Sequence, residues 1–524
     1  MRSILGKDAI REAAPELLFD ESRFTLGVPQ AAFFPTTHAE VGELLARASA
    51  QKIPVTIIGG QTGITGGSVP VEDCYALCLS EMNRIRRFQV EDDARAILWC
   101  EAGITLSSIH AFLTDPSSLD THGADTHLVT PGRWFYPPDP TEWNAQLGGT
   151  VSTNASGARS FHYGPTRSHV EGLSLVLANG DSVTLQRGQY RSDGRGFAIL
   201  TEQGHRVEIP AMSFRTPDVK NASGYYSSED MDLVDLFIGA EGTLGVVTDV
   251  GIRLTPHVEW VSGLSFLPHR NEALDLAQFL RSEPGVVAIE YFDVTSLDLI
   301  QANKASLSLK LPDFPEGMRT ALYWEVLLET DGALEEKMSR LEKQLNRHGS
   351  SLDMTWSGHD FDQSTRLRSF RHAVPETVNH MIATAKSRSP EIRKIGTDTA
   401  LPGDVFERTF HEYIRLIEGQ GLAYAAFGHL GDHHIHFNLL PRNKTEFQSG
   451  LNLYDQMMDL AIQRAGSVSA EHGIGKMKTT YLAKMVGADA LDQMKRVKTA
   501  LDPDWLLNRG NLFDSSSTET GERF

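Results

Sequence analysis

Little in this chain would tie it to nucleic acid, to a membrane or to an oxidising compartment. Against 68 Asp and Glu it carries 49 Lys and Arg, a formal net charge of −19, so it lacks the basic face that nucleic acid or an anionic lipid surface attracts. An anionic substrate would need a local positive site. No run reaches the roughly 18 to 20 apolar residues of a membrane span. Met1 to Phe24 scatters Lys7, Asp8, Arg11, Glu12, Glu16, Asp20 and Glu21 among its apolar residues, which breaks the uncharged core a secretory signal needs. Cysteine is scarce: Cys74, Cys78 and Cys100 are all there is. An odd, small number suits a reducing compartment better than a disulfide framework, and Cys74-x-x-x-Cys78 lacks the further ligands of an iron–sulfur cluster. The expected location is the cytoplasm, or the inner face of a membrane as a peripheral protein. Repeats are absent, and the one biased tract is the polar tail Ser515 to Gly521, expected to fray.

What is present is enough for more than one domain, because 524 residues exceed the size at which a single hydrophobic core stops growing. Phe33-Phe34-Pro35 leads into an apolar helix face at Val41, Leu44, Leu45 and Ala48, then into Pro54-Val55-Thr56-Ile57-Ile58, a buried strand ending in glycine. Residues 95 to 256 are rich in strands and turn signals such as Asn179-Gly180-Asp181. From residue 260 strands alternate with amphipathic helices: Val286 to Phe292 and Ala321 to Leu328 read as strands, and Leu334, Met338, Leu341 and Leu345 as a helical core stripe. Leu453, Met457, Leu460 and Ala461 mark a later helix. The texture predicts an α+β chain with a first domain over 1–258 (subdomains 30–100 and 101–258), a second over 259–450, and a helical segment over 451–524 that completes the first.

Strand 54–58 feeds into Gly59-Gly60-Gln61-Thr62-Gly63-Ile64-Thr65-Gly66-Gly67, five glycines in nine residues. Glycine permits positive φ and close backbone approach, so successive amides can converge on phosphate oxygens. The spacing is neither that of the NAD fingerprint nor that of the nucleotide-hydrolysing P-loop. Three further segments set small and hydrogen-bonding residues where an extended flat ligand could lie: Pro138-Asp139-Pro140-Thr141, Gly148-Gly149-Thr150-Val151-Ser152-Thr153-Asn154-Ala155-Ser156-Gly157, and Gly239-Ala240-Glu241-Gly242-Thr243-Leu244-Gly245-Val246. A large dinucleotide fits that footprint.

Chemistry concentrates in Gly428-His429-Leu430-Gly431-Asp432-His433-His434-Ile435-His436-Phe437-Asn438 and Ser469-Ala470-Glu471-His472-Gly473-Ile474-Gly475-Lys476. Imidazoles with a carboxylate can hold a divalent metal and keep a proton acceptor beside it. A hairpin turning at Gly431-Asp432 would set His434, His436 and Asn438 on one strand face, with His429 opposite.

Taken in order, these segments resemble the FAD-binding flavoproteins of the vanillyl-alcohol oxidase and p-cresol methylhydroxylase type. Within them the chain is most similar to the FAD-linked D-2-hydroxy-acid dehydrogenases: D-lactate dehydrogenase, D-2-hydroxyglutarate dehydrogenase and the glycolate oxidase D subunit. The likeness runs from residue 30 to 513. It implies a two-subdomain FAD-binding domain of p-cresol methylhydroxylase type, a ferredoxin-like α+β substrate domain, and C-terminal helices that return to the FAD domain. It places the pyrophosphate on residues 59–67. It places the rest of the cofactor along Pro138, Asp139, Thr141, Gly148, Gly149, Thr153, Asn154, Ser156, Gly157, Glu241, Gly242, Gly245 and Val246, with Asn511 from the returning segment. Where the family reads Asn-Pro-Gly this chain has Asn508-Arg509-Gly510. Members with covalent flavin use a His or Cys at the ring, and the phosphate loop has neither, so noncovalent FAD is expected.

The family usually reads Gly-His-x-Gly-Asp-Gly-Asn-x-His where this chain puts His433 and His434 in place of Gly-Asn. The ligand set carried over is His429, His436 and Glu471, suited to Zn²⁺ with an open position and also to Mn²⁺ or Fe²⁺. His472 matches the family's catalytic base, and Arg371 the arginine that grips the substrate carboxylate. Lys394 is a second positive charge on the substrate side. His434 and Asn438 are assigned to substrate positioning. The resemblance implies oxidation of a D-2-hydroxy acid to the 2-oxo acid by metal-assisted proton removal and hydride transfer to flavin N5. Pro375, standing where enzymes that grip a second carboxylate tend to have a hydroxyl residue, favours a monocarboxylate such as D-lactate. With no NAD fingerprint or cluster cysteines, electrons are expected to leave to a quinone, a cytochrome, an electron-transfer flavoprotein or a partner subunit. A homodimer is compatible with this reading. The competing readings are a non-redox flavoenzyme of the alkyl-dihydroxyacetone-phosphate synthase type, whose Ser-His-His-His-Gly differs from Ser469-Ala470-Glu471-His472-Gly473, and a flavin- or metal-binding protein without turnover.

Overall fold

In a computed structural model the chain is described over residues 1–118, 129–307, 311–328, 331–358 and 361–514. The tail 515–521 lies outside these residues. Arg2–Leu5, Ala31–Phe34, Tyr75–Cys78 and Val55–Ile58 form a four-stranded sheet in that order, the last three parallel. The connecting helix His38–Gln51 begins where the Thr37 side chain accepts from the Glu40 amide, and it buries Val41, Leu44, Leu45 and Ala48. The glycine-rich segment thus leaves the carboxyl end of a parallel strand, the usual place for a ligand loop in such a sheet.

A second sheet runs Ile85–Asp92, Arg95–Glu101, Val246–Pro256, Val170–Val176, Ser182–Gln186, with Trp134–Phe135 beside Val246–Pro256. Gly251 pairs with Trp99, and a Cβ at Gly251 would come within 2.7 Å of the indole, so the missing side chain is what lets Trp99 lie across the sheet.

The third sheet explains how the candidate residues meet. Trp260–Leu267, Val286–Phe292, Thr320–Leu327 and Thr355–Gly358 are antiparallel in the order fourth, first, third, second, with helices Arg270–Ser282 and Asp331–Arg347 in the crossovers. That is the ferredoxin-like βαββαβ order. Tyr424–Gly428 extends it beyond Val286–Phe292, pairing Tyr291 with Gly428, and His436–Leu439 and then Ile395–Gly396 follow. The pairing brings the strand carrying Glu290 alongside the start of the histidine segment. Helix Phe361–Arg388 contains Pro375, which removes the amide that would otherwise bond the Arg371 carbonyl one turn back.

The C-terminus closes the molecule. After helices Lys444–Gln463 and Thr479–Leu501, the chain returns to the first sheet: Leu507 bridges Val55 in parallel, Val55 donates to the Leu506 carbonyl, and Asn508 donates back to the Val55 carbonyl. No helix among the described residues is long and apolar enough to cross a membrane.

Candidate active site

A cleft opens between the glycine-rich segment, residues 140–156 and the 241–247 turn. Of the cofactor residues expected from sequence, Gly59 to Thr65, Gly67, Thr141, Gly148, Gly149, Thr153, Ser156, Glu241, Gly242, Gly245 and Asn511 line it. The others have different places. Gly66 takes positive φ and donates its amide to Asp20 Oδ2 at 2.8 Å, shaping the loop from behind. Asn154 bonds the Asn221 carbonyl and the Arg167 amide, Gly157 lets the Asp139 carbonyl approach where a Cβ would sit 2.1 Å away, and Val246 is buried in its strand. Pro138 and Asp139 line a second cavity. Gln146 Oε1 and Ser156 Oγ, both on cleft-lining residues, are buried without a hydrogen-bond partner among the described residues. Buried polar atoms of this kind call for a partner, and the cleft suits a dinucleotide such as FAD.

The turn is pinned from the far end of the chain. Glu241 accepts from the amides of Ile474 and Gly475 at 2.6 and 2.7 Å, and Asn508 and Asn511 donate to the Glu241 carbonyl at 2.7 and 3.3 Å. Lys476 reaches the carbonyls of Gly66 and Gly67 and Asn511 Oδ1. Burial pushes the Glu241 carboxyl up to about 7 and the Lys476 ammonium down to about 8.

At the mouth of the cleft the histidines converge on Glu471. His436 Nε2 lies 3.1 Å from Oε1, His429 Nε2 3.3 Å from Oε2, and His434 Nδ1 4.0 Å from Oε2. The ligand atoms of these four residues all lie within 4.8 Å of one another. His434 Nδ1 is buried without a hydrogen bond among the described residues, its Nε2 is 3.1 Å from Asp398 Oδ1, and the residue is 0% exposed. A buried imidazole nitrogen that faces a carboxylate and two further imidazoles is the donor set a divalent cation takes, so the residues fit one. Burial and the neighbouring imidazole hold His434 well below the usual imidazole range. Burial likewise lowers His436, while at His429 the pull of Glu471 and Glu290 overcomes burial and raises it to about 9.

His433, in the place of a family glycine, takes the left-handed conformation at φ 53° and stacks on Phe406 at 5.0 Å, away from the cluster. His472 stacks on His436 at 5.2 Å, its Nδ1 is 3.2 Å from Asp398 Oδ2, and it lines the cleft.

The second cavity, about 530 Å³, adjoins the first and is lined by His429, His436, Arg371, Glu290, Pro138 and Asp139 among others. Arg371 is ion-paired through Nε with Glu290 and lies over the Tyr323 ring. Arg371 opposes the burial cost and holds the Glu290 carboxyl down to about 2. Asn438 and Lys394 line neither cavity. They flank Gly396, where a Cβ would meet Asn438 Oδ1 at 2.8 Å and Lys394 Cε at 3.9 Å. His434 lines neither cavity either.

Four residues escaped the sequence reading. Lys220 Nζ sits 2.9 Å from Glu471 Oε2 and 3.6 Å from Asp432 Oδ2; with His429 it offsets burial and holds the Glu471 carboxyl well below its usual range. Asp398, also held low against burial by His472 and Lys478, takes the Ser469 hydroxyl at 2.6 Å and the His472 amide at 3.1 Å. Glu290 and Asp20 complete the group. No local motif marks any of them, since each acts on residues far away in the chain.

Comparison with known proteins agrees with this arrangement. Residues 29–120 and 120–186 match the FAD binding domain, and residues 259–512 match the C-terminal domain of FAD linked oxidases. The glycolate oxidase subunit GlcD of Bacillus subtilis is 25% identical over 494 residues, covering 93% of this chain and 89% of that protein. A D-2-hydroxyglutarate dehydrogenase of Stutzerimonas stutzeri is 25% identical over 522 residues, with 97% and 93% covered. A D-lactate dehydrogenase of Archaeoglobus fulgidus is 26% identical over 489 residues, with 91% and 90% covered. An alkyldihydroxyacetonephosphate synthase structure superimposes with a TM-score of 0.58 at 15% identity over 92% of this chain and 76% of that one, a likeness of fold alone. With a glycine-lined cleft on the first two sheets, most of its lining within the matched regions, and a histidine cluster beside the third, inside the matched C-terminal domain, the chain belongs to the FAD-linked oxidases.

Proposed function

We propose that the protein oxidises a D-2-hydroxy acid to the 2-oxo acid, with FAD held noncovalently in the cleft and a divalent metal, zinc in the first instance, held by His429, His436 and Glu471. The observation that carries this reading is the position of the cluster: Glu471 and His472 line the FAD cleft, and His429 and His436 line the adjoining cavity that holds Arg371. When bound, FAD accepts an electron pair and a divalent metal acts as a Lewis acid on the substrate oxygens.

Arg371 meets the substrate carboxylate with its Nη groups, its Nε being taken by Glu290. The Cα–H bond breaks with its electron pair leaving as hydride toward the cleft, and the hydroxyl proton passes to His472 Nε2. Asp398 beside Nδ1 fixes the tautomer that leaves Nε2 as acceptor, as an orienting carboxylate does for a catalytic imidazole. His434, which lines neither cavity but stands 4.0 Å from Glu471, serves this site better as a further donor to the cation than as the substrate contact its strand position suggested. The relatives' names point to hydroxy acids and support the substrate class.

Anaerobic mixing of the purified flavoprotein with a panel of D- and L-2-hydroxy acids tests the proposal. Bleaching of the flavin by D-acids alone is the expected result. A flavin bleached by none of them would favour the non-redox flavoenzyme or the binding protein.

A further inference from the structure

We infer that the substrate is a 2-hydroxy monocarboxylate with a bulky apolar side chain, larger than that of lactate. This rests on the hydroxy-acid reading above and concerns the same site. The cavity that begins at Arg371, His429 and His436 does not end there. Apolar side chains supply much of its remaining wall: Ile109 and Leu113 from one helix, Phe135 and Trp260 from strands of two sheets, and Trp143 and Phe427. At about 530 Å³ it is far larger than a methyl group needs. A substrate whose carboxylate and hydroxyl are held at the cluster has one substituent left, and that substituent faces this wall. Burying apolar surface there favours a long or aromatic side chain.

The charges in the same cavity argue against a second carboxylate. Its two guanidinium groups are already matched by buried acids: Arg371 by Glu290, and Arg159 by Glu325 at 2.7 Å. Arg159 also lies 4.0 Å over the Trp260 ring, so its face is covered. A side-chain carboxylate would come to rest beside Glu290 and Glu325, and among the described residues the one further guanidinium in the wall, Arg159, is already held by Glu325 and covered by Trp260, so burying that carboxylate costs desolvation.

The test is the rate of anaerobic flavin reduction, as kcat/KM, for D-lactate, D-2-hydroxybutanoate, D-2-hydroxyhexanoate, D-3-phenyllactate and D-2-hydroxyglutarate. Each added methylene should raise it about fourfold while room remains, phenyllactate should exceed lactate by tenfold or more, and hydroxyglutarate should fall below lactate. A flat or falling series, or hydroxyglutarate as the best substrate, overturns the inference while leaving hydroxy-acid oxidation standing. Reduction by none of the acids overturns both. In a second arm, Trp143→Ala, at a partly exposed position, and Ile109→Phe, which fills the cavity, should each lower the phenyllactate-to-lactate ratio. A ratio unchanged in both variants places the side chain elsewhere and also overturns the inference.

Discussion

Glu471 is the carboxylate on which the site's charge converges, touched by His429, His436, Lys220 and, at longer range, His434. Glu471→Gln keeps its shape and removes its charge. The expected outcome is loss of divalent metal and of turnover together, with FAD still bound, read by elemental analysis and flavin absorbance per chain. Full metal occupancy in that variant would put the cation somewhere else. His434→Asn restores the residue the family carries. Because the imidazole is buried, faces the cluster and reaches neither cavity, metal affinity should drop roughly tenfold or more in a chelator competition. Unchanged affinity with a raised KM would return His434 to the substrate side. The neighbouring His433 needs no such role: a turn in the left-handed conformation accepts a non-glycine here because the ring gains a stacking partner in Phe406.

Among the elements, the returning C-terminal segment and the 241–247 turn hold the cleft together, and Glu241 joins them. Its ordinary value is 4.5, and burial raises it to about 7 in the folded chain. Between these values the folded state keeps a proton that the unfolded chain has released. Glu241 therefore contributes stability that is complete below pH 4.5 and is lost as pH rises through 7, on the order of 3 kcal/mol. Urea unfolding of flavin-free protein across that window should show the slope, and Glu241→Gln should flatten it. An equal slope in both proteins would assign it to another group. Lys498 makes a second tie, donating to the carbonyls of Thr243 and Leu507 and pairing with Asp502 at 2.5 Å. Lys498→Met leaves Asp502 buried and unpaired, so unfolding free energy should fall by about 3 to 5 kcal/mol, measured by denaturant titration. A loss below 1 kcal/mol would mean that the pair is not a structural tie.

For the whole molecule, the mode of flavin attachment follows from what surrounds the cleft. Among the described residues lining it there is no cysteine and one histidine, His472. Cys74, Cys78 and Cys100 are buried and free, and burial raises each thiol, that of Cys78 to about 12. Acid precipitation should therefore leave a colourless pellet and FAD in the supernatant, identified by its chromatographic retention. Yellow colour that stays with the pellet would mean a covalent link.

Much of this protein is legible along the chain because its signals are local. A strand running into five glycines, a helix stripe of period 3.6 at Val41 to Ala48, strands at Val286 to Phe292 and Ala321 to Leu328, and four histidines in eight residues each declare themselves within a short window. The cleft loops and the histidine cluster were readable for that reason. What tertiary structure alone decided is which single residues stand beside them. Lys220, Asp398 and Glu290 come from 251, 73 and 139 positions away from the residues they contact. The second cavity is walled by pieces of two different sheets. His434 shows the limit most clearly: strand alternation set it on the face of His436, and the two rings lie 4.4 Å apart, but only packing against Asp398 decided that its ring is fully buried and lines neither cavity. Side-chain direction at a turn depends on which neighbours bury it, and in a folded chain those neighbours are set by strand order and domain packing.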